Sequence, residues 1–139
     1  MEKFEYFNPN PDASTFKSGK PKYWGKKDDG IRALCKAYDK DWQDMYDELC
    51  KCGKHHNDIA QSKAVINDYL ISNGYEFITL GKPQPGMKRP VVKDFINQNP
   101  NGTFILYLRD YYVTIKDGVL YNVINNDDEP IYSYWKLRK

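Results

Sequence analysis

The sequence predicts an α+β domain, with helices first and strands after. Three observations lead there. Between residues 29 and 73 apolar side chains recur at helical spacing. From 103 onward the chain turns to short runs rich in branched and aromatic residues. Asp117-Gly118 sits between two such runs and is a strong hairpin signal. The expected architecture is a set of N-terminal helices packed on a C-terminal antiparallel β-sheet. At 139 residues the chain is long enough for one domain with a real core and short for two.

Residues 1–27 hold Pro9, Pro11 and Pro21 among Asn, Ser, Gly and Lys, which is the chemistry of an extended arm. The aromatic residues Phe4, Tyr6, Phe7, Phe16, Tyr23 and Trp24 predict that this arm is pinned onto the core formed by residues 28–139. The first helix is expected over 29–38, capped by Asp28 or Asp29, with Ile31, Leu34, Cys35 and Tyr38 as its buried face. Cys35 on that face reads as a small core residue. The second helix starts at Asp41, buries Trp42, Met45, Tyr46, Leu49 and Cys50, and is expected to stop at Gly53.

A third helix is expected over 61–73 with Val65, Ile66, Tyr69 and Leu70 inside and Gly74 closing it. A short strand follows at 76–80, and a loop rich in Pro and Gly runs from 81 to 89. Pro90 suits the first turn of a short helix through Ile96. The remaining strands are expected at 103–108, 111–115, 119–123 and 131–135, with a turn-rich loop at 125–130.

Charged residues make up 29% and hydrophobic residues 40%, a globular balance rather than a disordered one. The net charge is +2, which provides no global drive toward nucleic acid or an anionic membrane. No apolar run approaches the ~20 residues that span a bilayer. The segment 1–6 is charged and lacks a signal-peptide hydrophobic stretch. Three cysteines, an odd count, argue against a disulfide framework and for a reducing compartment.

Two stretches invite a ligand reading. Tyr23 and Trp24 are interleaved with Lys17, Lys20, Lys22, Lys26 and Lys27, a mix that can stack bases and neutralise the phosphates of a single strand. The plainer reading is a solvated loop with aromatic anchors. Cys50-Lys51-Cys52-Gly53-Lys54-His55-His56 gathers metal-binding residue types, but its spacing departs from the common structural zinc sites, so neither a metal nor a cofactor is expected.

The chain carries an ordered series of motifs: Phe7-Asn8-Pro9-Asn10-Pro11, then Asp28-Asp29-Gly30-Ile31-Arg32-Ala33-Leu34, then Trp42, Met45, Tyr46 and Leu49, then Asp117-Gly118, Tyr121-Asn122 and Tyr134-Trp135. This series resembles that of the small papain-like proteins encoded by bacteriophages. That pattern implies a cysteine nucleophile where the first helix opens, a strand histidine as base, and an Asn or Asp that orients the base. Matching Arg32-Ala33-Leu34 puts Asp29 in the place of the cysteine. Counting back six residues from Asp117 puts Tyr111 in the place of the histidine. Asn122 falls at the orienting position.

Aspartate cannot form a thioester, and tyrosine, with a pKa near ~10, is a poor base at neutral pH. The resemblance therefore implies a catalytically inactive papain-like domain, a pseudo-peptidase. It would act as a protein-binding or structural module in a virion or in the host cytoplasm. Asp29, Tyr111, Tyr112 and Asn122 are its expected cleft, with Tyr23 and Trp24 as further binding residues. If the cleft has collapsed, Asp29 is only a helix cap, Tyr111 a strand aromatic and Asn122 a hairpin residue. Two other readings stand beside it. One is a hydrolase with altered chemistry at Asp29 and Tyr111, although a helix start is expected to lower the Asp29 pKa. The other is a single-stranded nucleic-acid binder working through the lysine-rich arm.

Overall fold

The computed structural model describes residues 3–10, 28–109 and 111–138. Its elements run β1 (Phe4–Tyr6), α1 (Asp29–Tyr38), α2 (Trp42–His56), α3 (Lys63–Ser72), β2 (Tyr75–Thr79), α4 (Val92–Gln98), β3 (Thr103–Leu108), β4 (Tyr111–Lys116), β5 (Val119–Asn122) and β6 (Ser133–Leu137). Together they make a mixed α/β fold around one six-stranded sheet, in the order β1-β5-β4-β3-β6-β2.

The sheet is not wholly antiparallel, as the strand pattern alone predicted. The arm adds β1 parallel to β5, in the register Phe4↔Leu120 to Tyr6↔Asn122. Bonds from Leu120 N–H to the Lys3 carbonyl (2.8 Å) and from Phe7 N–H to the Asn122 carbonyl (2.9 Å) flank that pairing. A parallel pair needs a long crossover, which the chain between β1 and β5 supplies. At the opposite edge β2 joins β6 antiparallel. Strands from both halves of the chain therefore build one sheet.

Strand alternation divides the core between the two faces. Ile105, Tyr112 and Trp135 face α1, α2 and α3, where they meet Ile31, Leu34, Met45, Leu49, Val65, Ile66 and Leu70. Their neighbours Phe104, Leu106, Leu108, Val113, Ile115 and Leu120 face the other way, toward Val92, Phe95 and Ile96 of α4. Seven residues of α4 thus cover a face that would otherwise be wet.

Several boundaries moved for identifiable reasons. The helix α2 continues through Gly53 and ends at His56, capped by Asn57, whose φ of 55° is left-handed. Gly53 is there for a close approach: a Cβ at that position would lie 2.6 Å from the Asp58 carbonyl oxygen. Tyr46, expected inside, is 41% exposed and stacks on Trp42 with ring centroids 5.1 Å apart. Pro90 does not open α4. Its carbonyl accepts the Ile131 N–H (2.9 Å) beside a Val91↔Pro130 bridge, which also delays β6 to Ser133.

Candidate functional site

The site expected from the sequence lies where α1 opens against β4. Two adjacent acids begin it, and they do different things. Asp28 is the N-cap by position, yet its side chain makes no capping bond. It is 3% exposed, ion-paired with Arg32 one turn along, and accepts the Trp42 indole N–H at 3.1 Å. A buried carboxylate this close to a guanidinium is best satisfied by it, and capping loses the competition. Asp29 turns to the sheet, and its Oδ2 accepts the backbone N–H of Tyr112 at 3.0 Å. The start of α1 is thereby stapled to β4.

From Asp28 a chain of polar side chains runs around the end of the sheet. Arg32 Nη2 donates to the Tyr111 hydroxyl (2.9 Å). The Tyr111 hydroxyl donates to Asn122 Oδ1 (3.3 Å). Asn122 Nδ2 donates to Asn126 Oδ1 (3.3 Å), and Asn126 Nδ2 to Glu129 Oε2 (3.3 Å). Asn122 is 5% exposed and its Oδ1 also accepts the Val123 N–H at 2.8 Å. Tyr111 packs with the α4 side of the core, whereas Tyr112, its neighbour in β4, packs against α1–α3 and donates its hydroxyl to Asn67 Oδ1 (3.0 Å).

The electrostatics at Asp29 differ from the sequence expectation. Burial raises its carboxyl above the ordinary 3.8, outweighing the pull of the Tyr112 N–H and of Arg32 in the other direction. The helix start was expected to win, and desolvation wins instead. A raised carboxyl is one ingredient of acid–base chemistry. Asp29 accepts a backbone N–H, and the Tyr111 hydroxyl is hydrogen-bonded between Arg32 and Asn122. The thiol of Cys35 is buried and pushed up to about 12, chiefly by desolvation.

No family model, curated protein or solved structure matches this chain. Its chemistry has to be read from its own side chains.

Two further clusters come into view. A groove of about 730 Å³ opens beside the β3–β4 turn. Its lining includes Lys63, Lys82, Arg89 and Arg109 together with the rings of Tyr107 and Tyr132, and among the described residues no carboxylate lines it. The ammonium of Lys63 stands 4.3 Å from the Tyr107 ring centre, and the Arg89 guanidinium 4.2 Å from that of Tyr132. Arg89 Nη1 also donates to the Gly81 carbonyl (3.0 Å), which ties the two ends of the 81–89 loop together at the groove wall. These cations are scattered over the sequence from Lys63 to Arg109, so no local run announced them.

At the end of α2 the Cys/His stretch resolves into separate residues. Cys52 and His56 point to α3, where His56 Nε2 lies 2.8 Å and Cys52 Sγ 3.7 Å from Asp68 Oδ2. The Cys-x3-His spacing on a helix was the available signal, and Asp68 could only come from the packing of α2 on α3. Tyr23, Trp24, Lys17, Lys20, Lys22, Lys26 and Lys27 lie outside the described residues. Among the described residues no helix is long and apolar enough to cross a membrane.

Proposed function

We propose that this chain is a non-catalytic binding domain of papain-like type, encoded by a bacteriophage, and that it takes an acidic segment of a protein partner into the basic, aromatic groove. The observation that carries the reading is the hydrogen-bonded chain Arg32–Tyr111–Asn122, which commits the base and orienting positions of the resemblance to structural work. Asp29, at the nucleophile position, is likewise committed to the Tyr112 backbone. Function then belongs to a site grafted elsewhere on the frame.

The groove supplies what a peptide carboxylate needs. Four cations, with no acid among the described lining residues, favour an anion, and Arg89 and Arg109 can bind carboxylates in a bidentate manner. Tyr107, Tyr132 and Phe77 add the flat apolar area that anchors partner side chains. A net charge of only +2 means that the attraction is local to this groove.

The test is fluorescence anisotropy with labelled acidic peptides, neutral peptides of the same length, and single-stranded oligonucleotides. Acidic peptides are expected to bind in preference to both others. The double charge reversal Lys63→Glu with Arg109→Glu is expected to weaken them at least about tenfold, and Tyr111→Phe to leave binding unchanged. A preference for oligonucleotides, or peptide cleavage blocked by a thiol reagent, would overturn the proposal.

A further inference from the structure

The cluster on the last turns of α2 is separate from both the Arg32–Tyr111–Asn122 chain and the groove. Cys52 and His56 are four residues apart on one helix, so their side chains stack on the same face. Asp68 meets them from α3. The thiol sulfur, an imidazole nitrogen and a carboxylate oxygen all lie within 4.8 Å of one another.

We propose that Cys52, His56 and Asp68 form a binding site for a borderline divalent transition-metal ion, with zinc as the expected occupant. Metal–ligand bonds of about 2.0–2.3 Å place tetrahedral donors roughly 3.3–3.8 Å apart. The observed 3.7 Å from Cys52 Sγ to Asp68 Oδ2 is inside that range, and the 2.8 Å from His56 Nε2 to Asp68 Oδ2 is a hydrogen bond that opens slightly to admit an ion. The donor set selects the metal: thiolate with imidazole suits zinc or cobalt, whereas calcium and magnesium require oxygen ligands.

The surroundings favour a cation as well. The cluster sits at the carbonyl end of α2, whose dipole is negative there. The Val65 carbonyl oxygen lies 3.7 Å from Cys52 Sγ. The helical frame is held by the close contact of Gly53 with Asp58 and by the packing of α2 on α3, so two of the three ligands are preset before an ion arrives. Coordination releases the Cys52 thiol proton to solvent and leaves the His56 ring proton on Nδ1. Cys52 and Asp68 are half-buried and His56 is exposed, so solvent can reach the site to complete the coordination.

The experiment is titration of the full chain, reduced and metal-free, with cobalt(II), then displacement by zinc. The expected result is a near-ultraviolet thiolate-to-cobalt band that saturates at one equivalent, disappears on zinc addition and is lost in Cys52→Ser. The same band is expected in Cys50→Ser, and His56→Ala is expected to weaken binding at least tenfold. Melting curves of the metal-free variants check that they fold. X-ray absorption on the zinc-loaded wild type gives an independent reading, with one sulfur expected in the coordination sphere. Absence of the band at millimolar cobalt, its survival in Cys52→Ser, its loss in a folded Cys50→Ser, or two sulfurs around the zinc would overturn the proposal.

Discussion

Arg32 and Tyr111, 79 residues apart, are joined by a 2.9 Å hydrogen bond that links the first helix to the far side of the sheet. On its other flank Arg32 neutralises the buried Asp28. Removing one partner of a buried ion pair leaves the other charged and dry, which costs about 3–5 kcal/mol. Arg32→Met is therefore expected to lower unfolding free energy by about 3 kcal/mol. Tyr111→Phe removes only hydrogen bonds and is expected to cost about 1 kcal/mol. Urea denaturation of both variants, and of Asp28→Asn with Arg32→Met, tests the ranking. The double variant is expected to recover part of the loss, since the stranded charge is gone.

Asp29 makes stability depend on pH in a defined direction. Its folded-state carboxyl titrates above the ordinary 3.8 because burial disfavours the anion. In that window the native chain holds a proton that the unfolded chain releases, so this group's contribution falls as pH rises from about 3.8 through the folded value. Asp29→Asn keeps an acceptor for the Tyr112 N–H but cannot ionise. The stability of Asp29→Asn relative to wild type is expected to rise with pH across the window. A flat difference from pH 3 to pH 7 would contradict the assignment.

The three cysteines are expected to separate by reactivity. Cys35 is 1% exposed and pushed up to about 12, so almost no thiolate forms at pH 8. Cys50 and Cys52 are partly exposed. A chromogenic disulfide reagent is expected to titrate Cys50 and Cys52 in the native protein and Cys35 only after denaturant is added. Fast native labelling of Cys35, located by peptide mass, would contradict the packing of α1.

Gly53→Ala tests the turn after α2. Alanine improves helix propensity by about 1 kcal/mol, which would stabilise an unconstrained helix. Here the added methyl would lie 2.6 Å from the backbone oxygen of Asp58, and a backbone atom cannot swing aside. Net destabilisation of about 1–3 kcal/mol is expected from the clash. A raised melting temperature would show that the 57–62 loop moves away freely.

The local parts of this fold could be read in the chain because they rest on local physics. The bounds of α1 and β3 follow from apolar period and branched-residue content, Asp41 caps α2 by accepting the Asp44 N–H at 2.9 Å, and Asp117-Gly118 turns between β4 and β5. The core faces of α1 and α3 follow from the same spacing. What packing alone settled involves partners far apart in sequence. No local pattern in Phe4–Tyr6 specifies a parallel partner at 120–122, and no propensity tells Asp28 to pair with Arg32 and Trp42 rather than cap its helix. The direction of the Asp29 titration was also beyond reach, because desolvation depends on which strand lies over the helix start. The gathering of Lys63, Arg89 and Arg109 in one groove, and of Asp68 with Cys52 and His56, likewise exists only once α3 has docked on α2 and on the sheet. Periodicity acts between neighbours, whereas charge burial and ligand geometry are set by chain segments that meet only on folding.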